Sequence, residues 1–518
     1  MLSPLTRSDL QLDTIADSVP LQTTWGKERF TTGLQNCAHD TAHIKRTQTI
    51  IMSFYTEPKL TTAIREEIRK LQTATVDEAI QPKTPIVTES ISQILWKPES
   101  TGSFLNGCPF VLDTLITWKT IFLPLFAVLI PLLAIVIPFF VLQYYKQDLG
   151  TSEYIEHMRG VILSQISIPS VLKSKNSEDR VGFMLESLFV GGTLVMYISS
   201  LWNQIAASLH LRTIWGNVDD SGKEIQTART VCTNIVNLLK TLPQKKQRIL
   251  RYVLDAGDTA LSNSLYIDKL NNVSTYGTVW NDATGVDALK NWIADMDVYT
   301  SVASLQSICF PRMKTESTIV DIQNVYHPAI EPCISNNFSS SSHTILTGPN
   351  RGGKSTFCRA VGLAIITAQA WGFAWASRMS WSPFKRILTA LDNVGKLGEQ
   401  SNFEAEIDFA KSVLEEPDAP FFVIMDEIFH STNASDGVAA SRVFMDRLYV
   451  KPGVISIIST HYKELVTHYT DKVQTLQLVT REKEDGKLDY TYKIAPGISD
   501  KSSVMEILEE RGLVARSV

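Results

Sequence analysis

The strongest constraint on this chain lies between Thr344 and Thr356. An apolar run (Thr344, Ile345, Leu346) reads as a buried strand. It feeds Gly348-Pro349-Asn350-Arg351-Gly352-Gly353-Lys354-Ser355, which meets the pattern G-x-x-x-x-G-K-[ST] at every fixed position. Glycines there let backbone N–H groups wrap phosphates, and the helix that follows points the positive end of its dipole at them. In such a loop Lys354 reaches the β- and γ-phosphates, and the Ser355 hydroxyl ligates Mg2+. The alternative, a chance Gly-rich turn before a helix, does not require the strand ahead of it. The motif therefore predicts an α/β nucleotide-binding domain.

Two further strands extend the site. Phe421-Phe422-Val423-Ile424-Met425 is apolar and ends in Asp426-Glu427. Asp426 is placed to hold Mg2+, and Glu427 to polarise an attacking water as general base. Val454 to Ile458 is a second apolar run and ends in Ser459-Thr460-His461. A histidine at the carboxyl end of such a strand, where ligands of open α/β sheets gather, is placed to sense a γ-phosphate. Taken by itself it reads as structural.

The rest of the chain, 518 residues with a net charge of −5, leaves room for two to four domains by roughly 150 residues each. That charge gives no global basic field, so any nucleic-acid surface must be local. Six cysteines without a C-x-x-C pair read as reduced and structural. Asp9, Asp13 and Asp17 fall where a cleavable leader would need its apolar core. Residues 1–105 read as polar and helical; Phe54 and Tyr55 read as core, and Ile64 to Leu71 as a surface helix. Residues 212–318 return to that pattern. Their basic run, Lys240, Lys245, Lys246, Arg248 and Arg251, suits either phosphates or a solvated helix face.

Between these helical regions, Ile121 to Leu142 is continuously apolar, with no charge from Lys119 to Lys146. About 20 such residues span a bilayer as a helix. Trp118 and Lys119 at one end, and Tyr144, Tyr145 and Lys146 at the other, would serve as interfacial anchors. Pro124, Pro131 and Pro138 would strain a soluble helix, whereas a neighbouring helix in a membrane can satisfy the carbonyls they free. The alternative is a buried hairpin of a large core. A second uncharged stretch, Ser187 to Leu211, is marginal: a second span over 187–208, an interfacial helix or a soluble helix. Two spans would return both flanks to the cytosolic side, where ATP is. The reading by region is thus 1–105 helical, 106–211 membrane segment, 212–318 helical and 319–518 nucleotide domain.

These motifs together resemble the ATPase domain of the MutS mismatch-repair family. The likeness rests on Gly348-Pro349-Asn350 with Gly352-Gly353-Lys354-Ser355-Thr356, on Asp426-Glu427 and on Thr460-His461-Tyr462. Ser401-Asn402-Phe403-Glu404-Ala405-Glu406 is similar to the family segment whose serine faces the ATP of a partner subunit. Ser431 to Gly437 resembles the loop after the catalytic glutamate. His327-Pro328 with Pro332 to Asn336 resembles the entry segment, in which Ile334 would pack on adenine. Ile494 to Gly497 with Ser502 and Ser503 resembles the C-terminal strand-turn-helix, and Trp371, Trp375 and Trp381 read as core. More loosely, Thr24-Trp25-Gly26-Lys27 and the stretch Ile293 to Ala303, with Asp297, resemble the family's lever elements.

The resemblance implies an ATP- and Mg2+-dependent dimer, homodimeric or with a MutS-like partner, acting in DNA repair or recombination. Glu427, His461, Lys354 and Ser401 would be catalytic. It sets two departures: Arg351 stands where the family has an apolar residue, and no mismatch-reading domain is present in the sequence. The second reading is therefore a membrane-associated, ATP-driven switch that no longer recognises mismatches. A transport component sharing the same dimer logic is a remote third, since an LSGGQ-like signature is missing.

Overall fold

The computed structural model describes residues 2–37, 40–71, 76–77, 85–145, 150–156, 180–391, 402–417, 420–482 and 488–513. The chain divides into two compact units. One comprises Met1–Leu71, Val231–Thr259 and Lys290–Val518; the other comprises Gln72–Thr230 and Ala260–Leu289.

Among the described residues the first unit holds ten strands in two sheets. Four are short and form the smaller sheet: β1 (Arg312–Met313), β2 (Val320–Val325), β3 (Asn336–Ser340) and β5 (Arg378–Trp381), in the order β1-β5-β2-β3. The larger sheet takes β4 (His343–Thr347), β6 (Arg386–Ala390), β7 (Phe421–Asp426), β8 (Val454–Ser459), β9 (Gln474–Glu482) and β10 (Leu488–Pro496). Its order is β10-β9-β4-β8-β7-β6, parallel throughout except for β10. Central parallel strands are covered on both faces, so they need continuous apolar sequence. The runs read above as β7 and β8 supply it and are buried throughout, apart from a half-buried Asp426. Register sets Asp426 opposite Ser459, and Leu346 opposite Ser459 on the other side. Three neighbouring strands therefore deliver their carboxyl ends to one edge.

The helix after the phosphate loop, Lys354–Trp371, is buried along nearly its whole length. Trp371, Trp375 and Trp381 are all core, as is Phe54, while Tyr55 is exposed. Trp371 stacks on Phe30 of the Thr24–Gln35 helix with centroids 5.8 Å apart, and its Nε1–H donates to the Phe30 carbonyl at 3.2 Å. The amino end of that same Thr24–Gln35 helix is held by a residue far away in sequence. Asp297, on the Thr284–Ala303 helix, accepts from Gln22 N (3.0 Å), Thr23 N (2.9 Å), Thr23 Oγ1 (2.7 Å) and Ser301 Oγ (3.1 Å). The Thr23 hydroxyl in turn accepts from Gly26 N at 2.9 Å.

At the foot of β4, His343 is buried, stacks on Tyr449 at 4.4 Å and meets Ser456 Oγ at 2.9 Å. Burial lowers its imidazole from 6.5 to about 4. A histidine held neutral in the fold takes up its proton first in the unfolded chain. It therefore removes stability as pH falls from 6.5 toward about 4, by up to ~1.4 kcal/mol per pH unit. Urea unfolding of His343→Phe should show a flatter stability profile than the parent over that window. Parallel profiles would place the proton uptake elsewhere.

In the second unit, the apolar segment lies in a run of helix from Pro109 to Tyr145, with one wide π turn at Trp118–Phe122. Helix thus begins well before Ile121. Among the described residues one stretch, Pro109–Pro131, is long and apolar enough to cross a membrane by length and composition. Pro124 offers no N–H to the carbonyl four residues back, Thr120, and Pro131 offers none to Ala127. Both carbonyls accept hydroxyls from a second helix: Ser208 Oγ–H reaches Thr120 O at 2.8 Å, and Tyr197 OH reaches Ala127 O at 3.3 Å. That second helix is Arg180–Lys240, 61 residues without a proline. It runs through the 211/212 boundary read from composition, which is therefore no break in the fold. Around these contacts Leu125, Ile130, Val195, Met196 and Trp202 are exposed.

The basic run is largely answered by acids from elsewhere in the first unit. Lys240 pairs with Asp258 at 2.7 Å, Lys246 with Glu57, and Arg251 with Asp255 at 3.4 Å.

Candidate nucleotide site

The phosphate loop leaves β4 and turns through Gly352 N–H donating to the Pro349 carbonyl at 3.1 Å. Gly353 closes it at φ +95°, a left-handed conformation that glycine adopts without strain, and a Cβ there would press on Tyr492 at 3.2 Å. Lys354 opens the helix with its side chain only 6% exposed. Its ammonium donates to Gly348 O at 3.1 Å and Asn350 Oδ1 at 3.4 Å, and lies 3.5 Å from Glu427 Oε1. A buried cation is retained where carbonyls and a carboxylate converge on it.

Asp426, at the tip of β7, accepts one hydroxyl on each oxygen: Ser355 on Oδ2 and Ser459 on Oδ1. Ser459, by sequence only the polar end of its strand, is through its hydroxyl a site residue as well. These are hard oxygen donors gathered beside a phosphate loop, the donor type that suits Mg2+. Glu427 follows at φ +51°, outside the strand conformation. Its N–H donates to Ser459 O at 3.1 Å and Oγ at 3.2 Å. Its carboxylate faces Lys354 on one side and His461 Nδ1, 3.9 Å away, on the other. His461 is half exposed and lies beside the cavity rather than on its wall.

The cavity measures about 730 Å³. Its lining joins Lys354, Ser355, Asp426 and Glu427 with Ile334 and Tyr492. Ile334 is thus brought to the loop from the segment before β3. Tyr492 gave no sequence signal: it sits at an irregularity in β10, at φ +54°, with its carbonyl held by Asn336 Nδ2 at 2.9 Å. Burial and the Arg359 guanidinium hold the His327 imidazole below its ordinary value.

Arg351 answers the question its position raised. Its guanidinium pairs with Glu510 on the Val504–Glu510 helix, so its charge is engaged there rather than with the loop's own groups. Ser503 Oγ of the same region donates to Asn350 O at 2.9 Å. Ser401 lies outside the described residues; the helix that begins at Asn402 is described.

Residues 344–517 match MutS domain V. The DNA mismatch repair protein MutS of Lactobacillus helveticus is 30% identical over 270 residues, covering 49% of this chain and 31% of that protein. That of Lactobacillus acidophilus is 32% identical over 240 residues, covering 43% and 28%. That of Synechocystis is 28% identical over 289 residues, covering 52% and 32%. The chain spans about a third of the length of these curated relatives. The phosphate loop, the acidic strand end and the C-terminal elements all lie inside residues 344–517, the part of this chain that matches MutS domain V.

Proposed function

We propose that this chain is a MutS-family ATPase that hydrolyses ATP with Mg2+ at composite sites of a dimer, driving a conformational cycle. The observation that carries the reading is the meeting of Lys354, Asp426 and Glu427 around one cavity at the carboxyl edge of three adjacent strands. Lys354 and the loop N–H groups bind the phosphates. Ser355 and Asp426 would hold Mg2+, which would supply charge neutralisation at the transferring phosphate. Glu427 takes the proton of the attacking water, and His461, 3.9 Å from its carboxylate, serves as the sensor of the γ-phosphate. Ile334 and Tyr492 pack on the adenine. Ser401 reaches the site of the second subunit, a homologous or identical chain.

The relatives' names point to DNA mismatch repair, and a DNA-linked cycle is the family's default. A specific observation favours a second element: the helix pair around Ser208 and Tyr197. Apolar side chains face outward there, and the carbonyls opposite Pro124 and Pro131 are supplied with hydroxyls. Hydrocarbon demands that arrangement, because no water is present to satisfy a bare carbonyl. We therefore propose that the pair lodges in a membrane with the ATPase domain on the cytosolic side. In this form the chain is a membrane-held switch.

Fractionation of the expressed chain, followed by ATPase assay with and without duplex DNA, tests both parts. The expected result is Mg2+-dependent turnover in material that carbonate leaves in the membrane and detergent releases. Release by carbonate alone, with salt-sensitive stimulation by DNA, would make the helix pair part of a soluble core and return the chain to a DNA-clamping role.

A further inference from the structure

The segment after Glu427 is bent hard. Glu427 and Phe429 both lie in the left-handed region, at φ +51° and +57°, and neither is a glycine. Such a conformation persists only where the surroundings hold it. Two side chains do so. Tyr462 OH donates to the Phe429 carbonyl at 3.2 Å. His430 Nδ1 lies 2.8 Å from the Glu427 carbonyl and 3.1 Å from Glu406 Oε1. Both of those neighbours are acceptors, so the proton resides on Nδ1 and the imidazole donates to both.

Glu406 is more than nine-tenths buried on the Asn402–Glu415 helix. Its Oε1 also accepts Ser431 Oγ–H at 2.8 Å, while its Oε2 is buried and meets no hydrogen-bond partner among the described residues. A buried carboxylate left half satisfied is anchored mainly by the groups that reach its other oxygen. Here those groups are His430 and Ser431, both from the loop that follows Glu427. The helix carrying Glu406 starts one residue after Ser401.

We propose that His430 is a positioning residue. Through its Nδ1–H it fixes the backbone of Glu427 to the buried Glu406, so that the Asn402–Glu415 helix sets where the Glu427 carboxylate points. This rests on the reading of Glu427 as general base.

The test compares steady-state ATP turnover of the full chain with His430→Ala, His430→Asn, Glu406→Gln and Glu427→Ala. Asparagine places an amide N–H where the imidazole carries Nδ1–H. Misplacing a reacting group by about 1 Å costs on the order of 100-fold, so His430→Ala should lower kcat by roughly 10- to 100-fold. KM for ATP should stay within about twofold, since His430 does not line the cavity. His430→Asn should recover most of the loss, and Glu406→Gln should fall between. Wild-type kcat in His430→Ala, or a loss that asparagine does not repair, overturns the proposal. Glu427→Ala separates this from failure of the wider reading: if that variant turns over normally, the base is misassigned; if it is dead while His430→Ala is active, only the positioning role falls.

Discussion

Replacing Glu427 with glutamine or alanine should lower ATP turnover by ~10²- to 10⁴-fold, the range a general base contributes. Nucleotide affinity should hardly change. The carboxylate is within reach of Lys354 at 3.5 Å and of His461 at 3.9 Å, and its backbone N–H is secured by Ser459. Glutamine keeps the shape and removes the basicity, which isolates the chemical role from the packing role. Lys354→Ala should behave differently. Its ammonium sits within the phosphate loop, so both affinity and turnover should collapse, turnover by ~10²- to 10³-fold. Phosphate release together with fluorescent-nucleotide binding separates the two signatures. Normal turnover in both variants would sink the ATPase assignment.

The largest effect on stability should come from Asp297. Asp297→Ala leaves the buried Thr23 N–H and the half-buried Gln22 N–H without their acceptor, at a cost of ~2–5 kcal/mol. Gly26→Ala should damage the same joint from the other side, because its Cβ would fall 2.2 Å from Asp297 Oδ2. Overpacking of that kind costs ~1–3 kcal/mol. Chemical denaturation of the two variants measures both. An Asp297→Ala variant within ~0.5 kcal/mol of the parent would mean that the joint relaxes to other partners.

What was legible in the sequence was local. The phosphate loop, the acidic end of β7 and the strand before His461 each carry their chemistry in a few consecutive residues, so order alone reveals them. The bond between the Thr24 helix and Asp297 joins positions 274 residues apart, although both segments drew notice separately as family-like. Arg351 turns on Glu510, 159 residues later, and no reading of the loop itself could choose between phosphate and carboxylate. The small sheet was hidden for another reason. Its strands are two to six residues long and join across gaps, so none shows a periodicity. The helix pair was half legible: prolines seven apart pointed to carbonyls in need of donors, but not to Ser208 and Tyr197 as the donors.

Those two hydroxyls bear on how the protein is made. For a hairpin that lodges in a bilayer, the Pro109–Tyr145 segment alone would bring into hydrocarbon two carbonyls lacking their helical partner, each costing several kcal/mol. The partner helix carries the remedy but emerges from the ribosome only later, since Tyr197 and Ser208 follow Ala127 and Thr120 by 70 and 88 residues. If the pair lodges in a membrane as proposed, the first limb would be a poor substrate for insertion by itself and would have to wait at the interface until the second arrives. The two limbs would then be one unit of biogenesis.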